Sequence, residues 1–198
     1  MPKVVDHEER RREIVQATMR VISRIGLDHT TIKEIAKEAG YSNGVLAHYF
    51  TNKEHILIMA HRTAFEAAGK RIKEKAQGLG SIDEMREALY EALPLDEERN
   101  LEAHIDVSFW AHAIIDPKLQ HVRAESYKGS QARWVGLLEI LRSNGIVRTS
   151  ASDADLAHEI GMIVDALSVE ALLFPEIVTV ERQKHVVERF LERIQSDN

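Results

Sequence analysis

The sequence has no cysteine among its 198 residues, which excludes disulfide frameworks, cysteine-ligated zinc fingers, thiol nucleophiles and thiolate-bound clusters. Proline and glycine are sparse, at 4 and 10 copies. So few breakers, set among many Ala, Leu, Glu, Arg and Ile, favour a mostly helical chain. Aromatic residues make up only 6%. No apolar run approaches the roughly 20 residues that span a bilayer, and the start Met1-Pro2-Lys3 lacks an apolar signal segment. The expectation is a soluble, cytoplasmic protein with no membrane partner. Hydrophobic content of 44% with 29% charged residues reads as globular, and the length as one domain or a small one joined to a larger.

What is present is unevenly charged. Residues 1–75 hold 14 Lys/Arg against 10 Asp/Glu, whereas residues 76–198 hold 12 against 22. A relatively basic front and an acidic remainder suggest that only the front meets a polyanion.

Helix punctuation divides the chain into about nine pieces, and the fold class is all-α. Ile14, Ala17, Val21 and Ile25 recur at spacings of three and four over residues 8–25, one buried face of a helix that Gly26 stops. Thr31 to Glu34 has the capping-box pattern and opens a short helix closed by Gly40. Ser42 caps another, through Tyr49. Thr51 to Glu54 is a further capping box, opening a helix to about Gln77. Gly78-Leu79-Gly80 is a break rather than a phosphate loop, having no strand before it and no Lys-Ser/Thr after it. Ser81 to Glu84 opens a helix ending near Pro94, and the next runs from about Asp96 to Ile115. Asp116-Pro117 supplies an N-cap with Pro at the first helical position of a long helix ending near Asn144-Gly145. Ser152 and Thr179 open the last two helices.

Residues 31–50 carry the chemistry. Two short helices joined by Ala39-Gly40-Tyr41-Ser42 make a helix-turn-helix, whose second helix enters the DNA major groove. Ile35, Ala36, Ala39, Val45 or Leu46, and Phe50 would pack this pair on the first helix, leaving Ser42, Asn43, Gly44, Ala47 and His48 outside. Asn43 can pair with adenine or donate to phosphate, and Gly44 admits close backbone approach. His48 and Tyr49 offer phosphate donors. Lys53, in the first turn of the following helix, opposes the helix dipole; it is either an ordinary surface lysine or a phosphate contact.

The pattern Thr31-x3-Ile35-Ala36-x2-Ala39-Gly40-Tyr41-Ser42-x-Gly44-x-Leu46-x2-Tyr49-Phe50-x2-Lys53-Glu54 closely resembles the DNA-binding segment of the TetR family of bacterial transcriptional regulators. Ala47-His48-Tyr49-Phe50 departs from most members, which have a phosphate-contacting Tyr in place of Ala47, and looks like the BetI-type branch. The resemblance implies a DNA-binding domain over 1–52 and a ligand-binding and dimerisation domain over 53–198. It places Thr31, Lys33, Ser42, Asn43, Gly44, Val45, His48, Tyr49 and Lys53 at a palindromic double-stranded operator. It implies a homodimer through the last two helices, with Ile163, Leu167, Ala171, Val187, Phe190 and Leu191 at the seam. It also implies a repressor released by a small organic effector held between the helices at 53–77, 96–115 and 117–144. Phe65, His104, Phe109, Trp110, Tyr127 and Trp134 are the candidate pocket residues; Trp110 either lines that cavity or fills the core. The acidic second part and the Trp face point to a neutral or cationic effector.

Other constellations fail. His158-Glu159 lacks a second His at zincin spacing, and no Glu-x-x-His pair suggests a carboxylate-bridged metal centre. Ser108 beside His104 or His112 lacks an Asp orienter. No catalytic residue, metal or cofactor is expected. The competing readings are a helical ligand-binding or scaffolding protein with a vestigial helix-turn-helix, and a small enzyme.

Overall fold

The computed structural model describes residues 7–78 and 80–196, the side chains of Glu8 and Lys53 excepted. Nine helices and no strand occur among the described residues: α1 His7–His29, α2 Ile32–Ala39, α3 Asn43–Tyr49, α4 Lys53–Lys75, α5 Ile82–Tyr90, α6 Glu97–Ala113, α7 Pro117–Ser143, α8 Asp153–Leu173 and α9 Val180–Ile194. Their starts follow local chemistry. Side-chain oxygens of Thr31, Ser42, Ser81, Asp96, Asp116, Ser152 and Thr179 each accept an otherwise unpaired backbone N–H of the first turn. Ser81 and Glu84 complete the reciprocal box. Gly26 takes φ 75° and kinks α1 near its end, so a final helical stretch continues to His29.

Two expected boundaries move. Asn52, not Thr51, caps α4: its Oδ1 accepts from His55 N at 2.8 Å, because the amide side chain reaches the third residue on as an Asp would. Helix α5 stops at Tyr90, and turn bonds from Ala92 N to Leu89 O and Leu93 N to Tyr90 O carry the chain to Pro94. The turn buries Leu93. Leu79, within the expected glycine break, lies outside the described residues.

Two apolar clusters form the interior. The front one gathers Ile14, Met19 and Ile22 of α1, Ile35 and Ala36 of α2, Leu46 and Phe50 around α3, and Ile56, Leu57 and Ala60 of α4. It also takes Ile105, Phe109 and Ala113 from α6 and Leu119 from α7. The rear one gathers Ile72 of α4, Met85 and Leu89 of α5, Trp134, Leu138 and Leu141 of α7, Leu156 and Ile160 of α8, and Val187, Phe190 and Leu191 of α9. Helix α4 therefore spans about 35 Å with one end in each cluster.

Candidate nucleic-acid interface and effector cavity

Helix α2 ends where Gly40 takes φ 72°, a left-handed position that glycine adopts without Cβ strain, and Tyr41 N donates back to Ala36 O at 2.9 Å. The chain then turns through Ser42, whose Oγ accepts from Val45 N at 3.4 Å. Leu46 and Phe50 are the buried anchors of α3, and Val45 is half-buried beside them. Ser42, Asn43, Gly44, Ala47 and His48 are exposed, as are Thr31 and Lys33 on the preceding helix. These residues form one continuous polar face with no aliphatic bulk.

Aromatic and basic side chains brace that face. Tyr41 donates its hydroxyl to Glu13 and lies under Arg10, 5.1 Å from ring centroid to guanidinium carbon. The half-buried Tyr49 hydroxyl meets His7 Nδ1 at 2.9 Å, so it is held by α1. Arg20 and Arg24 both pair with Glu38, at 2.9 and 3.0 Å, and hold that carboxyl below its usual range. Lys53 starts α4, and its side chain lies outside the described residues.

Behind this unit a cavity of about 120 Å³ opens between α4, α6, α7, α8 and the turn after α5. Phe65, Tyr127 and Trp134 line it as expected. His104, Phe109 and Trp110 do not. Phe109 is fully buried in the front cluster. His104 is half-buried and pushed down in pKa by that burial. Trp110 lies under Arg123 at 4.9 Å, with a buried Nε1 that finds no partner. Position 104 lies off the stripe of α6 that faces the cavity through Glu102, Ala103 and Asp106, whereas Trp110 continues that stripe one turn past Asp106, where Arg123 covers it.

The cavity is more polar than the aromatic count suggests. His61 is buried against Phe109, with ring centroids 4.1 Å apart, and its Nδ1 faces Asp106 at 3.1 Å while Nε2 faces Ser126 Oγ at 3.1 Å. Arg71 bonds Glu91 at 3.0 Å and both oxygens of Glu102. Arg123 approaches Asp165 at 3.4 Å. Burial pushes the Asp165 carboxyl up to about 6, and pushes Glu102 up against the pull of Arg71. None of these residues stood out in the sequence, where each is one charge on a charged helix. An Arg or Asp at an otherwise apolar helical position, as at Asp165 among Ile163, Val164 and Leu167, is the signal available.

The expected dimer residues are corrected in part. Leu167, Ala171, Val187, Phe190 and Leu191 are buried in the protomer's own rear cluster, because α9 closes over that face of α8; Ile163 is half-buried against it. The uncovered apolar stripe of α8 carries Met162, Ala166, Val169 and Leu173, with Phe174 and Ile177 beyond its end. Four of these side chains are large and exposed: Met162, Leu173, Phe174 and Ile177. Among the described residues no group of His, Asp and Glu is arranged to hold a metal ion, and no helix is long and apolar enough to cross a membrane.

A capped helix-turn-helix with a polar outer face, joined by one long helix to a ligand-sized cavity, defines a DNA-binding regulator with a sensing domain. The comparisons agree. Residues 14–60 match the family model for bacterial regulatory proteins of the tetR family, and residues 81–196 match that for the C-terminal part of BetI-type transcriptional repressors. The chain belongs to the TetR family and is a DNA-binding transcriptional regulator. It is 32% identical to the HTH-type transcriptional regulator PksA of Bacillus subtilis over 195 residues, 98% of this chain and 94% of that one. It is 27% identical to BetI of Vibrio parahaemolyticus over 198 residues, 98% and 96% of the two chains. Among solved structures, a transcriptional regulator from Rhodococcus superimposes with a TM-score of 0.81 at 26% identity, covering 93% of this chain and 95% of that one. A regulator from Saccharomonospora viridis, crystallised with choline, gives 0.84 at 22% identity, covering 94% and 97%.

Proposed function

We propose that the chain is a homodimeric, cytoplasmic repressor without enzymatic activity, released from a palindromic operator when a small neutral or cationic organic molecule fills the cavity. Residues 1–52 serve as the DNA-binding domain and 53–198 as the sensing and dimerisation domain. The observation that carries this reading is the outer face of α3. Gly44 has ordinary helical backbone, and a Cβ there would meet only Ser42 Oγ, at 3.8 Å. No packing neighbour among the described residues requires a glycine at this first-turn position of α3. A ligand that must come close to the backbone does need it, and a base edge or phosphate is such a ligand.

On this reading Asn43, Gly44, Val45 and His48 face the bases, with Thr31, Lys33, Ser42, Tyr49 and Lys53 on sugar-phosphate oxygens. Two copies pair through the uncovered stripe of α8, which sets their recognition helices about 34–36 Å apart, one turn of DNA. Filling the cavity shifts the population toward a dimer with another spacing, limited by the ligand's differential affinity, about 1–3 kcal/mol. The choline held by the Saccharomonospora viridis protein supports a ligand with a cationic end. The test is affinity for operator DNA against salt. A fall of several orders of magnitude between about 50 and 200 mM is expected for six or more phosphate contacts, and a flat response refutes the reading.

A further inference from the structure

The charges around the cavity are unevenly matched at its two ends. Arg71 and Arg99 close on Glu91 and Glu102, with Arg71 serving both carboxylates and Arg99 lying 3.4 Å from Glu91. Arg133 is different. Its guanidinium lines the cavity over the Phe65 ring at 5.4 Å, against Gly69, and among the described residues it meets no carboxylate. Burial alone acts on it, lowering its pKa from the ordinary range.

At the other end Asp106 and Asp165 both line the cavity. They have one guanidinium between them, Arg123, at a long 3.4 Å from Asp165. The other partner of Asp106 is the His61 imidazole. Burial, opposed by Arg123 and aided by the charge of Asp106, is what raises Asp165. One end lacks an anion, and the other sets two carboxylates against one guanidinium. Arg123 and Arg133 are ten residues apart on α7, about 15 Å of helix rise, with Tyr127, Ser130 and Gln131 lining the wall between them. A volume of about 120 Å³ is the liquid share of about four waters, which favours a slender chain over a bulky ring system.

We propose that the cavity takes a slender, elongated zwitterion, its oxyanion on Arg133 and its ammonium against Asp106 and Asp165. This rests on the reading of the cavity as the effector site, and narrows "neutral or cationic" to a net-neutral molecule charged at both ends. A simple amine leaves the half-buried Arg133 without a carboxylate, and a simple acid adds a third negative charge beside Asp106 and Asp165; selection comes from those penalties as much as from contact.

The test is calorimetric titration of the full chain with unbranched ω-amino acids of four to eight carbons, each against the amine and the carboxylate of equal length. At least one amino acid should bind about tenfold or more tightly than both of its matched probes. Arg133→Gln should remove that preference without weakening the amine, and Arg133→Lys should restore part of it. An amine that binds as well as its amino acid, a preference unmoved by Arg133→Gln, or no binding by any amino acid overturns the proposal. Ala68→Phe, which fills the cavity, separates the two readings. An amine that releases DNA, and whose binding this variant abolishes, leaves the effector site standing while the zwitterion falls. Amine binding and DNA release that both ignore it remove the effector site too.

Discussion

His61 Nδ1 and Asp106 Oδ1 lie 3.1 Å apart and join the middle of α4 to the cavity wall of α6. A carboxylate only accepts, so the Nδ1–H donates to it, while Nε2 meets the Ser126 hydroxyl. One imidazole thereby ties α4, α6 and α7 together while stacked on Phe109 of the front core. On the proposed function, a ligand that competes for Asp106 would loosen this tie between α4 and α6. His61→Leu leaves the hydroxyl and carboxylate without their partner, and should cost about 1–3 kcal/mol in denaturant unfolding. It should also weaken ligand-induced release of DNA more than ligand affinity. Equal loss of both would make His61 a simple pocket residue.

Arg71 is the second tie. It lies between Glu91 and Glu102, all three mostly shielded from water. Arg71→Met strands Glu102 and leaves Glu91 to Arg99 alone, and should destabilise by about 3 kcal/mol at neutral pH. The loss should shrink as pH falls and the carboxyls protonate. A pH-independent loss would assign the effect to packing instead.

Asp165 gives the chain a pH signature. Its folded pKa of about 6 lies above the ordinary 3.8, so between those values the folded state binds more protons than the unfolded one. Stability contributed by this group therefore falls as pH rises from about 4 to 6 and stays lower above. Asp165→Asn should remove that decline and raise Tm at pH 7 relative to wild type in the absence of ligand. Thermal unfolding across pH 4–8 checks it, and parallel curves for the two proteins would contradict it.

Most of the helix layout was legible because helix ends are local. Ser81 with Glu84, Asp116 with Pro117 and Gly40 each act within a few residues, and their spacing carries the whole signal. The outer face of α3 was legible for the same reason, since Leu46 and Phe50 anchor it in sequence order. The cavity was not. Arg133, Asp106, Asp165 and His61 come from four helices, and their meaning lies in which of them lack partners, a tertiary fact. The surfaces of α8 were not legible either: α8 is apolar on two faces, and periodicity cannot say which one α9 covers.

That ambiguity has a direct test. Leu173→Glu places a charge on the uncovered stripe and should convert the dimer to a folded monomer in sedimentation. Leu167→Glu buries a carboxylate in the protomer's own core and should unfold it, at several kcal/mol. A folded Leu167→Glu monomer would return that residue to the seam.

The central claim is that α3 reads DNA sequence through its open polar face. The measurement is selection of preferred duplexes from random DNA by wild type and by Asn43→Ala. The account predicts an inverted repeat for the wild type. For the variant it predicts preference relaxed at one position in each half-site, worth about 1–3 kcal/mol there. Enrichment of no repeat by the wild type, or an identical repeat for both proteins, would contradict it.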